Sequence, residues 1–341
     1  MMEETASAEG VTVVTVTYGE RQHFLEPMLR ATLAQGVGKV ILVNNCASWD
    51  VAAMAEAIDS VHIEVINLEQ NMGSAGGYAM GIALAQAQEG KSIWLLDDDN
   101  LPHENCLSIL LDAYRTALTQ VSRDHLAVVA FRPDHNADVI QGRDSHKLGT
   151  RPGSFLGFHV LEIPLKIWHR TSTGKLHPPK DLPSVIRRIT APYSGLLFDK
   201  TLIDKIGLPN AELVLYADDI ELTGRLTRLG GEILLIPKAG MTDMEGTWNV
   251  KRARTRNSFM VWLQDGGDFR AYYSARNLSW IGTHHKTRVD IIYLINKWIY
   301  LAILYAIALT KGRVSRFKLL LQAIKDGETG HLGLNSRFPL P

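Results

Sequence analysis

Residues 11–45 read VTVVTVTYGERQHFLEPMLRATLAQGVGKVILVNN and contain a complete strand–helix–strand unit. The β-branched run at 11–17 and the apolar run at 39–44 predict two buried strands. Between them, at 21–35, leucine and methionine residues recur at the spacing of one helical face. Because two parallel strands require such a crossover, this unit predicts the start of a parallel sheet.

The same alternation continues over the first 130 residues. Further strands are predicted at 61–66 and 93–96, with helical stretches between them. This order is typical of an α/β, Rossmann-like sheet that is mostly parallel and flanked by helices. Ligands of such sheets bind beyond the carboxyl ends of the strands. The polar residues at three predicted strand ends therefore mark a candidate site: Thr17, Tyr18, Asn44, Asn45, Asp97, Asp98 and Asp99.

Composition narrows the class of protein. Of 341 residues, 46% are apolar and 21% are charged, which is typical of a globular enzyme with a sizeable core. The 36 basic residues are balanced by 36 acidic ones, so no nucleic-acid partner is expected. Two cysteines supply neither a disulfide framework nor zinc spacing. The first ten residues, MMEETASAEG, lack the features of a secretory signal, and we expect a reducing, cytoplasmic location.

Three consecutive carboxylates, Asp97, Asp98 and Asp99, follow the apolar run SIWLL at 92–96. Stability alone gives no reason to gather three like charges at a strand end. A divalent cation bound to a diphosphate would offset both sets of negative charge, and oxygen ligands suit Mg²⁺ or Mn²⁺. The alternative is a solvated acidic turn, but the position directly after a buried strand favours a metal.

A glycine-rich segment, NMGSAGG at 71–77, lies between the third predicted strand and a helix. Glycine permits close approach of the backbone to a ligand, and a helix N-terminus favours anions. The segment could equally be a tight connection, since the GxGxxG dinucleotide pattern is absent.

A second acidic segment, YADDIEL at 216–222, opens a helical pattern. Acidic residues suit a first helical turn, and Glu221 can pair with Arg225 one turn later. A carboxylate at the same place could instead be a general base for an acceptor hydroxyl. The local sequence leaves both readings open.

The region 251–341 is predicted to be a helical C-terminal region, set apart from a domain at 1–250. Residues 291–309, IIYLINKWIYLAILYAIAL, form its longest apolar segment, interrupted by Asn296 and Lys297. A membrane span needs roughly 20 largely apolar residues. The segment therefore predicts either a helix lying on the cytoplasmic face of an anionic membrane or a buried bundle helix. Its basic flanks are Lys286, Arg288, Lys311, Arg313, Arg316 and Lys318.

Taken in order, these segments resemble the motifs of the family-two glycosyltransferases with the GT-A fold. VTVVTVTYGER resembles the first strand and nucleotide-contacting turn, ILVNNCASWD the V-D-N-x-S-x-D segment, and NMGSAGGYAMGI the N-x-G-x-x-G-G segment. LLDDDN is similar to the D-x-D metal motif, and YADDIELTGRL to the E-D-x-E/D-L-x-x-R catalytic helix. The resemblance covers about residues 11–250. AYYSARNLSW and AIKDGETGHLG resemble tails of the bacterial branch that makes rhamnan and galactofuranan polymers.

This resemblance implies inverting transfer from a UDP- or dTDP-linked sugar to a hydroxyl of a glycan or lipid-linked acceptor, in cell-surface polysaccharide synthesis. It implies Asp219 as the general base, and a Mn²⁺ or Mg²⁺ ion bound by Asp98 and Asp99. The family often has a metal-binding His after the strand that here reads EILLIPKAGMTD, and Asp243 is the nearest substitute. The residues implied in nucleotide-sugar binding are Thr17, Tyr18, Glu20, Asn44, Asn71, Gly73, Gly77, Asp97 and Asp98.

Two other classes of function stay open. A sugar nucleotidyltransferase would usually carry a basic, glycine-rich loop after the first strand, which TYGERQHF does not supply. A non-catalytic carbohydrate- or membrane-binding homologue would keep the fold, and the missing His favours it.

Overall fold

The computed structural model describes residues 7–142, 151–169, 179–245, 258–264, 266–284 and 291–340. The predicted basic flanks Lys286 and Arg288 lie outside these residues.

The strands form one nine-stranded sheet in the order β3-β2-β1-β4-β8-β6-β9-β5, with β7 paired to β9. Their bounds are β1 (Val11–Gly19), β2 (Lys39–Ala47), β3 (Ile63–Asn67), β4 (Ser92–Asp97), β5 (Asn100–Pro102), β6 (Leu126–Phe131), β7 (Ile186–Arg188), β8 (Leu196–Asp199) and β9 (Glu232–Asp243).

Helices cover both faces of the sheet and make up the C-terminal part of the described chain. Their bounds are α1 (Gln22–Leu33), α2 (Val51–Asp59), α3 (Gly73–Ala87), α4 (Cys106–Ala117), α5 (Ala137–Ile140), α6 (Ile163–Trp168), α7 (Thr201–Ile206), α8 (Asp218–Arg228), α9 (Ser258–Gln264), α10 (Asp268–His284), α11 (Ile291–Thr310) and α12 (Val314–Glu328).

The register of the parallel strands brings the predicted site residues to one edge of the sheet. β1 pairs in parallel with β2 and β4, which places Thr17 opposite Asn44 and Val16 opposite Asp97. The strands predicted at 11–17, 39–44, 61–66 and 93–96 all form, each within a few residues of its predicted bounds. The predicted α/β class, with a mostly parallel sheet and C-terminal helices, is confirmed.

Alternate residues of the strands supply two cores, one on each face of the sheet. Val13, Leu42 and Trp94 pack on the side of α1, α2 and α4. Val14 and Leu95 point the other way, toward α3, α7 and α8. This alternation follows from the two-residue period of a strand, and it explains why the strands read as continuous apolar runs.

A third core joins the C-terminal helices to the rest of the protein. It is built mainly from α10, α11 and α12, but it includes Phe155 and Val214 from earlier in the chain. Asn296, fully buried on α11, donates a hydrogen bond to the carbonyl of Gly153 and accepts one from the amide of Val160, both at 2.8 Å. The polar interruption in the apolar segment is thus an internal connection. The division near residue 250 stays a prediction.

Candidate active site

Arg21 lies among three carboxylates at the carboxyl ends of β1, β4 and β9. Its Nε donates to both oxygens of Asp98 at 2.9 Å, and its Nη2 donates to Asp99 Oδ2 at 3.0 Å. Its Nη1 donates to Glu245 Oε2 at 2.6 Å. The guanidinium carbon also lies 5.1 Å from the centroid of the Tyr18 ring. The positive charge of Arg21 therefore offsets the negative charges of these carboxylates in largely desolvated surroundings.

The contacts described for Asp98 are with other side chains of the protein. Besides Arg21, the hydroxyl of Thr17 donates to Asp98 Oδ2 at 2.9 Å. Burial raises the pKa of Asp98, while Arg21 and Thr17 act in the opposite direction. Thr17 itself is fully buried. The metal contact predicted for Asp98 and the nucleotide contact predicted for Thr17 stay predictions.

The two neighbours of Asp98 have different surroundings. Asp97 is partly exposed, and the hydroxyl of Tyr78 lies 2.7 Å from its Oδ1. Asp99 is buried, and Asn100 donates a hydrogen bond to its Oδ1. Burial, followed by the charges of Asp97 and Asp98, raises the pKa of Asp99 to about 8. Additional positive charge at Asp99 would therefore be favourable.

Asp243, the predicted substitute ligand, lies at the end of β9, opposite Asn100 of β5. Its Oδ2 lies 2.9 Å from His135 Nε2, and its Oδ1 accepts a hydrogen bond from the amide of Glu245. The charge of Asp243 also acts on Asp99. A histidine is thus present beside the acidic cluster, but it comes from the loop after β6 and not from the end of β9.

The donor set around Asp99 fits a hard divalent cation. Asp97, Asp99 and Asp243 offer carboxylate oxygens, which Mg²⁺ and Mn²⁺ prefer, and burial together with the charges of Asp97 and Asp98 raises the pKa of Asp99. Within the described ranges, no three or more His, Cys, Asp or Glu side chains form a group that could hold a metal ion as they are placed.

The second acidic segment begins α8 and lies within electrostatic range of Asp97. Ser74 Oγ donates to Asp218 Oδ2 at 3.0 Å, and burial raises the pKa of Asp218. Burial also raises the pKa of Asp219, to about 6, with the charge of Asp97 acting in the same direction and that of Arg132 in the opposite one. The charge of Asp97, in β4, therefore acts on Asp219, although more than 100 residues separate the two in the sequence.

The predicted pair within α8 is confirmed. Arg225 donates from Nε to Glu221 Oε1 at 2.8 Å, and its Nη1 donates to the carbonyl of Ile206. Glu221 is therefore engaged in holding the helix, whereas the charge of Asp97 acts on both Asp218 and Asp219.

The turn before α8 is strained and is held in place from α10. Its three non-glycine residues with positive φ are Val214, Tyr216 and Ala217. Asn277, fully buried on α10, points its Nδ2 at three carbonyl oxygens of this turn. They are those of Leu213 at 2.8 Å, Leu215 at 2.9 Å and Tyr216 at 2.8 Å. Such strain persists only where the surroundings fix the backbone, so Asn277 positions the start of α8.

Two glycines of the predicted nucleotide loop are needed for packing. Gly73 has a φ of +72°, and a Cβ there would lie 2.0 Å from the carbonyl oxygen of Val214. A Cβ at Gly77 would lie 2.6 Å from Val16 Cγ1. Gly73 thus permits contact with the turn before α8, and Gly77 permits α3 to lie close to β1. Their predicted contacts with the base and ribose stay predictions.

Asparagine side chains connect the ends of β2 and β3 to the glycine loop. Asn44 donates to the facing residue of β3 at 2.8 Å. Asn45, which is buried, donates to Asn71 Oδ1 at 3.0 Å. Glu20 is exposed and accepts a hydrogen bond from Ser48. Nucleotide contacts of Glu20, Asn44 and Asn71 stay predictions.

Several site residues lie outside the set that the sequence predicted: Arg21, Tyr78, Arg132, His135 and Asn277. Arg132 had a recognisable signal, because it follows the buried strand β6 directly, just as the acidic triplet follows β4. It is buried, and its Nη1 donates to Asn100 Oδ1 at 2.8 Å. Burying a charged side chain is costly, so a buried basic residue at a strand end indicates a candidate site just as a buried acidic residue does.

Residues 12–164 match the model of the glycosyl transferase family 2. This part of the chain is thus similar to the family 2 glycosyltransferases. The match extends from β1 through β6 and includes Asp97, Asp98 and Asp99, whereas Asp218 and Asp219 lie beyond it. It confirms the resemblance and, with the sheet order, the GT-A fold class.

Curated relatives agree with this family. Galactofuranosyltransferase GlfT1 of Mycolicibacterium smegmatis is 29% identical over 226 residues, covering 65% of this chain and 67% of that protein. GlfT1 of Mycobacterium tuberculosis (H37Rv) is 26% identical over 165 residues, covering 47% of this chain and 45% of that protein. Succinoglycan biosynthesis protein ExoO of Rhizobium meliloti is 27% identical over 122 residues, covering 36% and 34%. The chain thus spans less than half the length of the last two.

Among solved structures, GalNAc-T7 with UDP, GalNAc and Mn²⁺ aligns with 68% of this chain and 42% of its own, at 14% identity and a TM-score of 0.49.

The connection between α10 and α8 gives a testable expectation for this glycosyltransferase. Asn277→Leu removes the donor that faces three carbonyls, so the free energy of unfolding should fall by about 1–3 kcal/mol. Because the turn before α8 then relaxes, kcat should fall while nucleotide affinity, which is predicted to depend on the ends of β1 and β4, changes little. Thermal unfolding, steady-state kinetics and calorimetric nucleotide binding measure the three quantities.

Gln322→Ala is the matched control, since Gln322 is exposed on α12 and donates to Asp326. It should change none of the three quantities appreciably. Equal losses of kcat and nucleotide affinity in Asn277→Leu would contradict a specific positioning role.

Proposed function

We propose that this glycosyltransferase moves a sugar from a UDP- or dTDP-linked donor to a hydroxyl of a glycan or lipid-linked acceptor, with inversion at the anomeric carbon. Synthesis of a cell-surface polysaccharide is the proposed context. The observation that carries the proposal is the placement of Asp219 at the start of α8, close enough to Asp97 for the charge of Asp97 to act on its raised pKa. This arrangement would let a nucleoside diphosphate bind beside Asp97, Asp98 and Asp99 while an acceptor hydroxyl lies at Asp219.

A galactofuranosyl donor is the first to test. Galactofuranosyltransferases of two mycobacterial species are similar to this chain, and one alignment covers about two thirds of both proteins. This similarity supports the sugar but does not define the linkage or the acceptor.

Asp219 would act as the general base. Its oxygen accepts the proton of the acceptor hydroxyl while the hydroxyl oxygen forms a bond to the anomeric carbon. The bond from that carbon to the diphosphate oxygen breaks, and the nucleoside diphosphate leaves with the electron pair. With a pKa of about 6, Asp219 is ionised at neutral pH yet more basic than an exposed aspartate. A single displacement inverts the anomeric centre.

Asp97, Asp99 and Asp243 would hold the divalent cation, with Arg21 and Asp98 beside them. When bound, the cation would offset the negative charge that develops on the departing nucleoside diphosphate. Arg21 ties Asp98 and Asp99 to each other and so keeps the cluster ordered. Arg132, buried near Asp219, keeps the pKa of Asp219 from rising further.

Replacing Asp219, the proposed base, distinguishes its role from that of its neighbour Asp218. Asp219→Asn keeps the size of the side chain but removes the proton acceptor, so kcat should fall about 10²- to 10⁴-fold with donor affinity nearly unchanged. In the unmodified enzyme, kcat/KM should rise with pH through about 6, because Asp219 must lose its proton to act. Initial rates of transfer from UDP-galactofuranose at several pH values provide the measurement.

Asp218→Asn is the matched control. Because burial raises the pKa of Asp218 to about 8, the unmodified protein should lose stability relative to this variant as the pH rises from about 4 to 8. Most of the rate should remain. A dead Asp218→Asn beside an active Asp219→Asn would transfer the role of base to Asp218.

The proposed role of the divalent cation can be tested separately. Asp99→Asn removes one charged oxygen donor, so Mn²⁺-dependent binding of UDP, followed by calorimetry, should weaken at least about tenfold, as for the loss of a metal-site residue. Asp112→Asn, on the exposed face of α4, is the control and should bind normally. Undiminished transfer in EDTA would disprove the role of a metal.

A further inference from the structure

The α11 helix presents an apolar face to solvent. Ile291 is 71% exposed, Trp298 66% and Leu309 54%. An 18-residue window of this helix has a mean hydropathy of 1.8, although only 33% of it is buried within the protein. The other large apolar residues exposed on it are Ile292, Leu294, Ile295 and Tyr305.

These residues form one continuous stripe. Ile291, Leu294, Ile295, Trp298 and Leu309 follow the three- and four-residue spacing of a helical face, and Ala302 and Tyr305 fill the gap. At 1.5 Å per residue the stripe is about 27 Å long. An exposed apolar surface of this extent is typical of a protein or membrane interaction site.

The surrounding charge is of one sign. From Ile291 to Lys325 the sequence contains six basic residues and no acidic one. Lys311, Arg313 and Lys318 are exposed just beyond the C-terminal end of the stripe. On α11 itself, Lys297 is paired with Glu328 on the protein side, at 2.5 Å. The exposed basic residues therefore complement an anionic surface.

A second exposed apolar segment begins beside α11. Asn296 of α11 binds the amide of Val160, and α6 starts three residues later. The segment that follows exposes four large apolar side chains. They are Leu161 at 64%, Leu165 at 39%, Ile167 at 57% and Trp168 at 54%.

We propose that α11, with α6 beside it, is a monotopic docking surface for a bilayer that contains anionic lipids. The apolar stripe would enter the boundary between headgroups and acyl chains, and the basic residues at its end would contact the anionic headgroups. This surface lies outside the proposed active site.

The contacts of α11 favour lying on the bilayer over crossing it. Its other face supplies Tyr293, Tyr300 and Leu304 to the third core. Asn296 is hydrogen-bonded to two backbone groups of the earlier chain. A helix that crossed the bilayer would have to leave these partners and carry Asn296 into hydrocarbon unpaired.

A second copy of the chain fits the surface less well. In a two-fold dimer the same patch contacts itself, so two copies of residues 291–325, which contain no acidic residue, would face each other. Lys311, Arg313 and Lys318 would then find no opposite charge in the facing stretch of the partner. Anionic lipid supplies that charge.

Flotation of the full chain with lipid vesicles tests the proposal without donor, acceptor or metal. The unmodified protein should float with vesicles of phosphatidylcholine and phosphatidylglycerol, and more weakly with phosphatidylcholine alone. Ile295→Glu with Trp298→Glu should weaken binding to both by about 100-fold or more, because two apolar anchors are lost. Lys311→Gln with Arg313→Gln should weaken only binding to the anionic vesicles, about tenfold.

Val61→Glu is the control, because Val61 is 81% exposed just before β3, far from α11 in the sequence. It should float normally, and thermal unfolding should show every variant folded. Unchanged flotation of the Ile295→Glu, Trp298→Glu variant would overturn the proposal. So would retention of the unmodified protein in carbonate-washed membranes, which indicates a span, or dimerisation through Trp298 without vesicle binding.

Discussion

The ion pairs of Arg21 are the interaction on which the rest of the site depends. Asp98 and Asp99 directly follow the strand β4, at a place where burial raises the pKa of each carboxyl and penalises its charged form. Arg21 lies between them and also reaches Glu245 beyond β9. One side chain therefore joins the ends of three strands and makes a concentrated acidic cluster compatible with a folded protein.

The position of α8, which carries Asp219, is fixed by a different kind of constraint. The turn before α8 contains three residues with positive φ, each of which costs about 1–3 kcal/mol in such positions. Asn277 offsets this cost with hydrogen bonds to the turn, and Arg276 adds one to the carbonyl of Leu213 at 3.0 Å. The C-terminal tail contributes as well, since the amide of Gly333 donates to the carbonyl of Glu212 at 2.7 Å. The C-terminal helices thus fix the position of Asp219.

The sequence was most informative where local pattern and position agree. The β-branched and apolar runs predict β1, β2 and β4, and the parallel register then brings Asn44 and Asp97 to one edge. The contacts of Arg21 with Asp98 and of Asn277 with the turn before α8 could not be predicted, because they join residues 77 and more than 60 positions apart. No periodicity encodes such pairs. For the segment 291–309, one face is buried in a core and the other is exposed, and contact with a membrane stays a prediction.

The dependence of stability on pH tests the role of Arg21 most directly. In Arg21→Gln, Asp98 loses its counter-charge, so its pKa should rise further above the ordinary value and its ionisation should cost more. Unfolding by urea, measured from pH 5 to pH 9 for both proteins, gives the free energy lost by the substitution. The account predicts a loss that is small at pH 5, where Asp99 with its pKa of about 8 is largely protonated, and that grows by about 2 kcal/mol or more toward pH 9. A loss of equal size across this range would contradict it.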